Sequence, residues 1–139
     1  MKDYYVAADV HAVTGLDPRL LKMWVSRKPV MLPIEDDGRK KKARGSPILY
    51  TAERVIQIAI AKALIDLGNA SRLAIRMAGA ALAYCHASDG KDGNLVAAWS
   101  TDGSSVHVAP VGPEIPSAVF SVINVGAIAE RTMLGLLRL

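Results

Sequence analysis

The sequence predicts an α+β fold, with helices in the first part of the chain and strands in the last part. Apolar residues recur at helical spacing through the first half, whereas Asp102-Gly103 separates two short runs of the residues that strands favour. Of the 139 residues 51% are hydrophobic, which is enough to bury a core. We expect an N-terminal winged helix-turn-helix followed by helices over residues 1–85, and a small strand-rich subdomain with a closing helix over residues 86–139.

The first predicted element is a short helix. Its apolar residues fall on one face at helical spacing: Val6, Ala7, Val10 and Val13. Gly15 then permits a tight turn. Asp17 can accept hydrogen bonds from the free N–H groups of a following helix, and Pro18 suits the first position of that helix. A second helix is therefore predicted to begin at Asp17.

The second helix has two different faces. Its apolar residues Leu20, Leu21 and Trp24 share one face, and the other face carries Arg19, Lys22, Met23 and Ser26. One side can therefore pack in the core, where Trp24 is expected to act as a brace, while the other side meets a partner. The cations Arg19 and Lys22 suit phosphates or base edges.

A cationic segment follows the second helix. It comes after Pro29, Pro33 and Glu35-Asp36-Asp37-Gly38, and it contains Arg39, Lys40, Lys41, Lys42 and Arg44. The Asp37-Gly38 pair indicates a hairpin between two brief strands. Such a run is either a solvated loop or a wing that contacts DNA. Its position between the second helix and Leu49-Tyr50-Thr51 favours DNA contact.

Together these segments resemble the MerR (mercury-resistance regulator) family of DNA-binding proteins. That family combines a small apolar helix, a Thr-Gly turn, a recognition helix ending in a basic residue, one spacer and Trp, a basic wing, and a Leu-Tyr-Ser/Thr step into a long helix. The matching segments are, in order, residues 6–13, Thr14-Gly15-Leu16, Lys22-Met23-Trp24, residues 39–44 and Leu49-Tyr50-Thr51.

The resemblance covers roughly the first half of the chain, and it implies that double-stranded DNA is the partner. It places the second helix, the cationic segment and Tyr50 near DNA, although Tyr50 is also interpreted as a core residue. The candidate DNA-binding residues are Thr14, Asp17, Arg19, Lys22, Met23, Arg27, Lys28, Arg39, Lys40, Lys41, Lys42, Arg44 and Tyr50.

Charge is distributed unevenly along the chain. Residues 1–76 contain 14 Lys and Arg against 8 Asp and Glu, a net charge of +6, and residues 77–139 contain 3 against 5, a net charge of −2. These values add up to the total of +4. The basic half is therefore the expected nucleic-acid surface.

Two longer helices are predicted next. Thr51 can cap the first of them, and Gly68 ends it. The second runs over residues 71–84, where Gly79 is expected to let a neighbouring backbone come close.

The C-terminal part predicts a hairpin, a third strand and a closing helix. A two-residue turn at Asp102-Gly103 would pair Trp99 with Val106 and Ala97 with Val108. The third strand is predicted over residues 119–123 and the helix over residues 126–139. Apolar residues of these last two elements predict a homodimer contact: Val119, Phe120, Ile123, Leu134 and Leu137.

No catalytic, metal-binding or cofactor-binding site is predicted. Cys85 is the only cysteine, which excludes an internal disulfide and is typical of the reducing cytoplasm. Cys85-His86 and the scattered His11 and His107 lack the spacing of metal ligands or of a catalytic pair. No signal peptide is recognised, and the longest apolar stretch, residues 55–67, is interrupted by polar residues and too short for a membrane span.

These observations predict a cytoplasmic, non-enzymatic protein that binds DNA sequence-specifically as a homodimer and regulates transcription. The second helix would lie in the major groove and the cationic segment on the backbone. Two alternatives remain open. One is an excisionase-like or architectural DNA-binding protein of a mobile element, and the other is an antitoxin-type module that holds a protein partner. The sequence assigns neither an operator nor a small-molecule effector.

Overall fold

The computed structural model describes residues 2–27, 29–33, 48–88, 95–115 and 119–139. Within these ranges the chain forms five helices and three strands: α1 (Ala7–Thr14), α2 (Pro18–Ser26), α3 (Ala52–Asp66), α4 (Ser71–Ala87), β1 (Leu95–Trp99), β2 (His107–Pro110), β3 (Ser121–Asn124) and α5 (Val125–Leu137). The predicted α+β class is confirmed. No helix in the described ranges is long and apolar enough to cross a membrane.

The predicted starts of α2 and α3 are confirmed, because each is capped by a local side chain. The Asp17 carboxylate accepts a hydrogen bond of 2.8 Å from the backbone N–H of Arg19 at the start of α2. The Thr51 hydroxyl accepts one of 3.1 Å from the backbone N–H of Arg54 at the start of α3. Both caps satisfy N–H groups that have no partner inside the helix.

Helix α3 lies at the centre of the fold and packs against α1, α4 and α5. Its buried residues are Val55, Ile58, Ile60, Ala61 and Leu64. On its other side, a Cβ atom at Gly79 of α4 would lie 3.2 Å from the Gln57 Nε2 atom. Gly79 therefore makes room for a side chain of α3, and the predicted close approach of a backbone at this position is wrong.

The three strands form an antiparallel sheet with the order β2-β1-β3. Trp99 pairs with His107, and Ala97 pairs with Ala109, so the predicted hairpin register is wrong by one residue. The reason lies in the connection, which spans residues 100–106 instead of a two-residue turn. The Asp102 carboxylate closes it by accepting backbone hydrogen bonds from Ser104 at 2.9 Å and Ser105 at 2.7 Å.

One face of the sheet packs on the helices. Val96, Ala98 and Ile123 belong to the same core cluster as the buried residues of α3 and α4. The side-chain amide of Asn69, just after α3, donates to the Leu64 carbonyl and to the Ser121 hydroxyl at 2.9 Å each. The strands are therefore tied to the end of α3, and β3 begins at Ser121, two residues later than predicted.

Candidate nucleic-acid interface

The turn between α1 and α2 is three residues long and is held by its own hydrogen bonds. Gly15 adopts φ 75°, and its N–H donates to the His11 carbonyl at 2.8 Å. The Thr14 hydroxyl donates to the Val10 carbonyl at 2.7 Å and accepts from the Leu16 N–H at 3.2 Å. The left-handed backbone favours glycine. Thr14, a candidate DNA-binding residue, therefore uses its hydroxyl to tie the last turn of α1 to the residue Leu16 in the turn.

One side of α2 is buried. Leu21, Trp24 and Val25 are its buried residues, and Trp24 is 0% exposed. The carbonyl of Trp24 accepts hydrogen bonds of 3.1 and 3.0 Å from the N–H groups of Met31 and Leu32, so the chain folds back on the helix after it ends. The prediction of Trp24 as a core residue is confirmed. Val25 was missed although it lies four residues after Leu21 and therefore on the same face of the helix, and Leu20, which was placed on that face, is half-buried.

The other side of α2 is exposed and cationic. Arg19, at the first turn, pairs with Asp17 through an Nη2–Oδ2 distance of 3.2 Å, and the Arg19 side chain is 92% exposed. The hydrogen bonds from the Arg19 guanidinium and backbone N–H hold the pKa of the Asp17 carboxyl below its ordinary value. Asp17 therefore caps the helix and orients Arg19, instead of presenting a free carboxylate.

The remaining candidates on α2 lie further along the same side. Lys22 is exposed and has no ion-pair partner among the described residues. Arg27 is exposed, and its Nη1 atom lies 3.2 Å from the Sδ atom of the half-buried Met23. The structure thus leaves Arg19 and Lys22 exposed on α2 and Arg27 exposed directly after it. Lys28 lies outside the described residues.

The described residues on both flanks of the cationic segment pack in the fold. Leu32 on one flank is buried, and Ile48 on the other packs against the core. Beyond Ile48, the backbones of Tyr50 and Tyr5 exchange two hydrogen bonds of 2.8 Å in an antiparallel bridge. The cations Arg39, Lys40, Lys41, Lys42 and Arg44 themselves lie outside the described residues.

Tyr50 departs from the expectation that it contacts DNA, since it is 2% exposed and its ring belongs to the core. Its partner Tyr5 was missed by the sequence analysis. Tyr4-Tyr5-Val6 is a run of strand-favouring residues, and that signal could have identified the bridge.

The predicted dimer residues divide into two groups. Val119, Phe120, Leu134 and Leu137 are exposed. Ile123, in contrast, is 4% exposed and lies in the internal core, because the side of β3 that carries it faces the helices. Ile123 therefore has almost no free side-chain surface for a dimer contact.

The cysteine and histidines considered as metal ligands or as a catalytic pair have different surroundings in the structure. Burial raises the pKa of the Cys85 thiol, whereas the neighbouring His86 is exposed and its Nε2 atom lies 3.0 Å from Glu53 Oε1. His107 stacks on Trp99 with 5.6 Å between ring centroids. Within the described ranges, no group of three or more His, Cys, Asp or Glu residues could hold a metal ion. The acidic residues 35–37 lie outside those ranges.

Comparison with known proteins adds no relative, since no protein-family model and no curated protein matches the chain.

Proposed function

We propose that this protein is a non-enzymatic, sequence-specific DNA-binding regulator that acts as a homodimer. In this proposal α1 and α2 form a helix-turn-helix, and the cationic segment is the wing. The observation that carries the proposal is the two-sided character of α2, which buries Leu21, Trp24 and Val25 and exposes Arg19 and Lys22, with Arg27 exposed directly after the helix. Two short helices joined by a brief turn with glycine are typical of helix-turn-helix motifs, in which the second helix enters the major groove.

The distribution of charge supports the same surface. Arg19 and Lys22 lie in the first half of α2, where a recognition helix contacts base edges. The ion pair between Arg19 and Asp17 is exposed to solvent, so a phosphate or a guanine edge can replace the carboxylate at small cost. Cations of the wing would add phosphate contacts, which supply affinity without reading sequence.

Selection of duplexes from a random pool, followed by fluorescence anisotropy on the selected site, tests the proposal. Arg19→Ala and Lys22→Ala should each weaken binding to the selected site by about ten- to a hundredfold, with a smaller effect on random DNA. Arg72→Ala, which removes an exposed cation of α4, is the matched control and should leave binding unchanged. If folded Arg19→Ala and Lys22→Ala proteins bind as tightly as the parent, α2 is not the reader.

The same selected duplexes distinguish regulation from an architectural function. An architectural protein bends its DNA and occupies several adjacent sites, whereas the regulator proposed here occupies one two-fold site. Gel mobility of circularly permuted duplexes measures the bend directly.

A further inference from the structure

The outer face of α5 is apolar along its centre. The inner face buries Val125, Ile128, Thr132 and Leu136, whereas Leu134 is 46% and Leu137 is 59% exposed on the outer face. Isolated exposed leucines are common on protein surfaces, but two on neighbouring turns of one helix form a patch.

This patch continues into a groove between α5 and α1 with a volume of about 540 Å³. Small side chains line the groove on both helices, with Ala12 and Val13 on α1 and Ala127 and Gly135 on α5. Leu134 and Leu139 also line it, together with three charged residues: Glu130, Arg131 and Arg138. The groove therefore has room for an aliphatic side chain from outside and carries charges in its lining.

The charges are arranged symmetrically about Leu134. Glu130 precedes Leu134 by four residues and Arg138 follows it by four, so each lies about one helical turn away on the same side. All three residues are exposed, and neither Glu130 nor Arg138 has an ion-pair partner among the described residues. The face is thus complementary to a copy of itself that runs in the opposite direction.

We propose that α5 is the dimer interface and that it pairs with α5 of a second copy in antiparallel orientation, centred on Leu134. In this arrangement Glu130 of each copy faces Arg138 of the other, which gives two equivalent ion pairs related by a two-fold axis. The Leu134 side chains meet at the axis and enter the two grooves, while the stem of each Arg131 covers Leu137 of the other copy. Such an isologous contact closes on itself and stops at two chains.

The second copy is favoured over an unrelated partner by this charge pattern. A partner of another sequence would need its own matching acidic and basic groups at one helical turn on either side of an apolar residue. A second copy supplies them without any further requirement. The inference deepens the dimeric function proposed above and replaces the β3 part of the predicted dimer contact with α5, keeping Leu134 and Leu137.

Charge reversal tests the pairing, because the symmetric arrangement predicts rescue within one chain. Glu130→Arg alone places two pairs of like charges across the interface, and Arg138→Glu alone does the same with the opposite sign. Each should raise the dimer dissociation constant by about tenfold or more, and the double variant should restore it. Sedimentation velocity at micromolar concentration, without DNA, measures the dissociation constant, and circular dichroism confirms that each variant is folded.

A matched pair of leucine variants locates the contact. Leu137→Arg should dissociate the dimer, because it places a second cation beside Arg131 of the other copy, whereas Leu67→Arg, at an equally exposed position of 59% after α3, should not. A monomeric parent protein, a double charge reversal that stays dissociated, or equal dissociation by Leu67→Arg would each overturn the inference. A monomer that binds the selected duplex specifically would overturn the α5 interface and the homodimeric part of the proposed function but leave DNA binding standing, and a dimer that binds no DNA would overturn the DNA-binding proposal alone.

Discussion

Gly135 of α5 lies so close to Val13 of α1 that a Cβ atom built on the glycine would come within 2.9 Å of the valine Cγ1 atom. No real Cβ atom fits there unless one of the two helices moves. The valine side chain is β-branched and has one strongly preferred rotamer in a helix, so it cannot turn away at low cost. This pair therefore sets the separation between α1 and α5.

Gly135→Ala should destabilise the fold, although alanine is the better helix former. The gain in helix propensity is about 1 kcal/mol, and overpacking costs typically ~1–3 kcal/mol. In a Val13→Ala background the space is open, so the same Gly135→Ala change should stabilise the protein. Urea unfolding of the four proteins in this cycle measures both effects. An equal effect of Gly135→Ala in the two backgrounds would contradict the contact, and Gly112→Ala, with open space around it, is the control.

Trp24→Ala should lower the free energy of unfolding by ~3–5 kcal/mol, because it removes a fully buried aromatic side chain and leaves a cavity beneath α2. Lys22→Ala, on the exposed side of the same helix, should leave it nearly unchanged. Thermal unfolding followed by circular dichroism compares the two. A small decrease in Trp24→Ala would show that Trp24 does not brace the helix.

Asp102 should make part of the stability pH-dependent. Backbone hydrogen bonds from Ser104 and Ser105 hold the pKa of the Asp102 carboxyl far below its ordinary value of 3.8. Because the pKa is lowered in the folded state, this stabilisation is complete above the unfolded-state value and is lost as the pH falls below it. Asp102→Asn keeps the acceptor oxygen and does not titrate.

The parent protein should therefore unfold at a higher temperature than Asp102→Asn near neutral pH, and the difference should shrink as the pH falls below 3.8. Melting curves over a pH series measure this difference. A constant difference at every pH would mean that the Asp102 charge contributes nothing to the loop.

Replacing Lys40, Lys41 and Lys42 by Gln should weaken binding to selected and random DNA alike. The slope of log affinity against log salt should fall in magnitude by about 0.9 for each phosphate that a lysine no longer neutralises, while sequence preference persists. Anisotropy titrations over a salt series give the slope, with Arg72→Gln as the control. An unchanged slope would show that these lysines do not contact DNA phosphates.

Most of the helical part could be predicted from the sequence, because the residues that start and end these helices act on close neighbours in the chain. Asp17 and Thr51 cap helices with bonds to residues two or three positions away, and Gly15 provides the left-handed turn within the same stretch. The burial of Leu21 and Trp24 on α2 followed from spacing alone. The exposed position of Arg19 and Lys22 followed from the same pattern.

Long-range relationships could not be predicted in this way. The hairpin register depends on how the Asp102 carboxylate closes its loop. The dipeptide Asp-Gly by itself favours a two-residue turn, so the longer loop could not be predicted from it. The burial of Ile123 depends on which face of β3 meets the helices. The contact between Gly135 and Val13 joins residues that are far apart in the sequence. Nothing in the sequence around either residue indicates that the two lie close together.

The Tyr5–Tyr50 bridge bears on how this protein can evolve. Leu32 and Ile48, on the two sides of the cationic segment, pack in the core, and the bridge joins Tyr50 to Tyr5. These contacts are made by side chains and backbone groups outside the run of lysines and arginines. Changes in the cations themselves therefore leave these contacts in place. A lineage can retune the DNA affinity that we propose by editing one segment, while the core that orients α2 stays under separate selection.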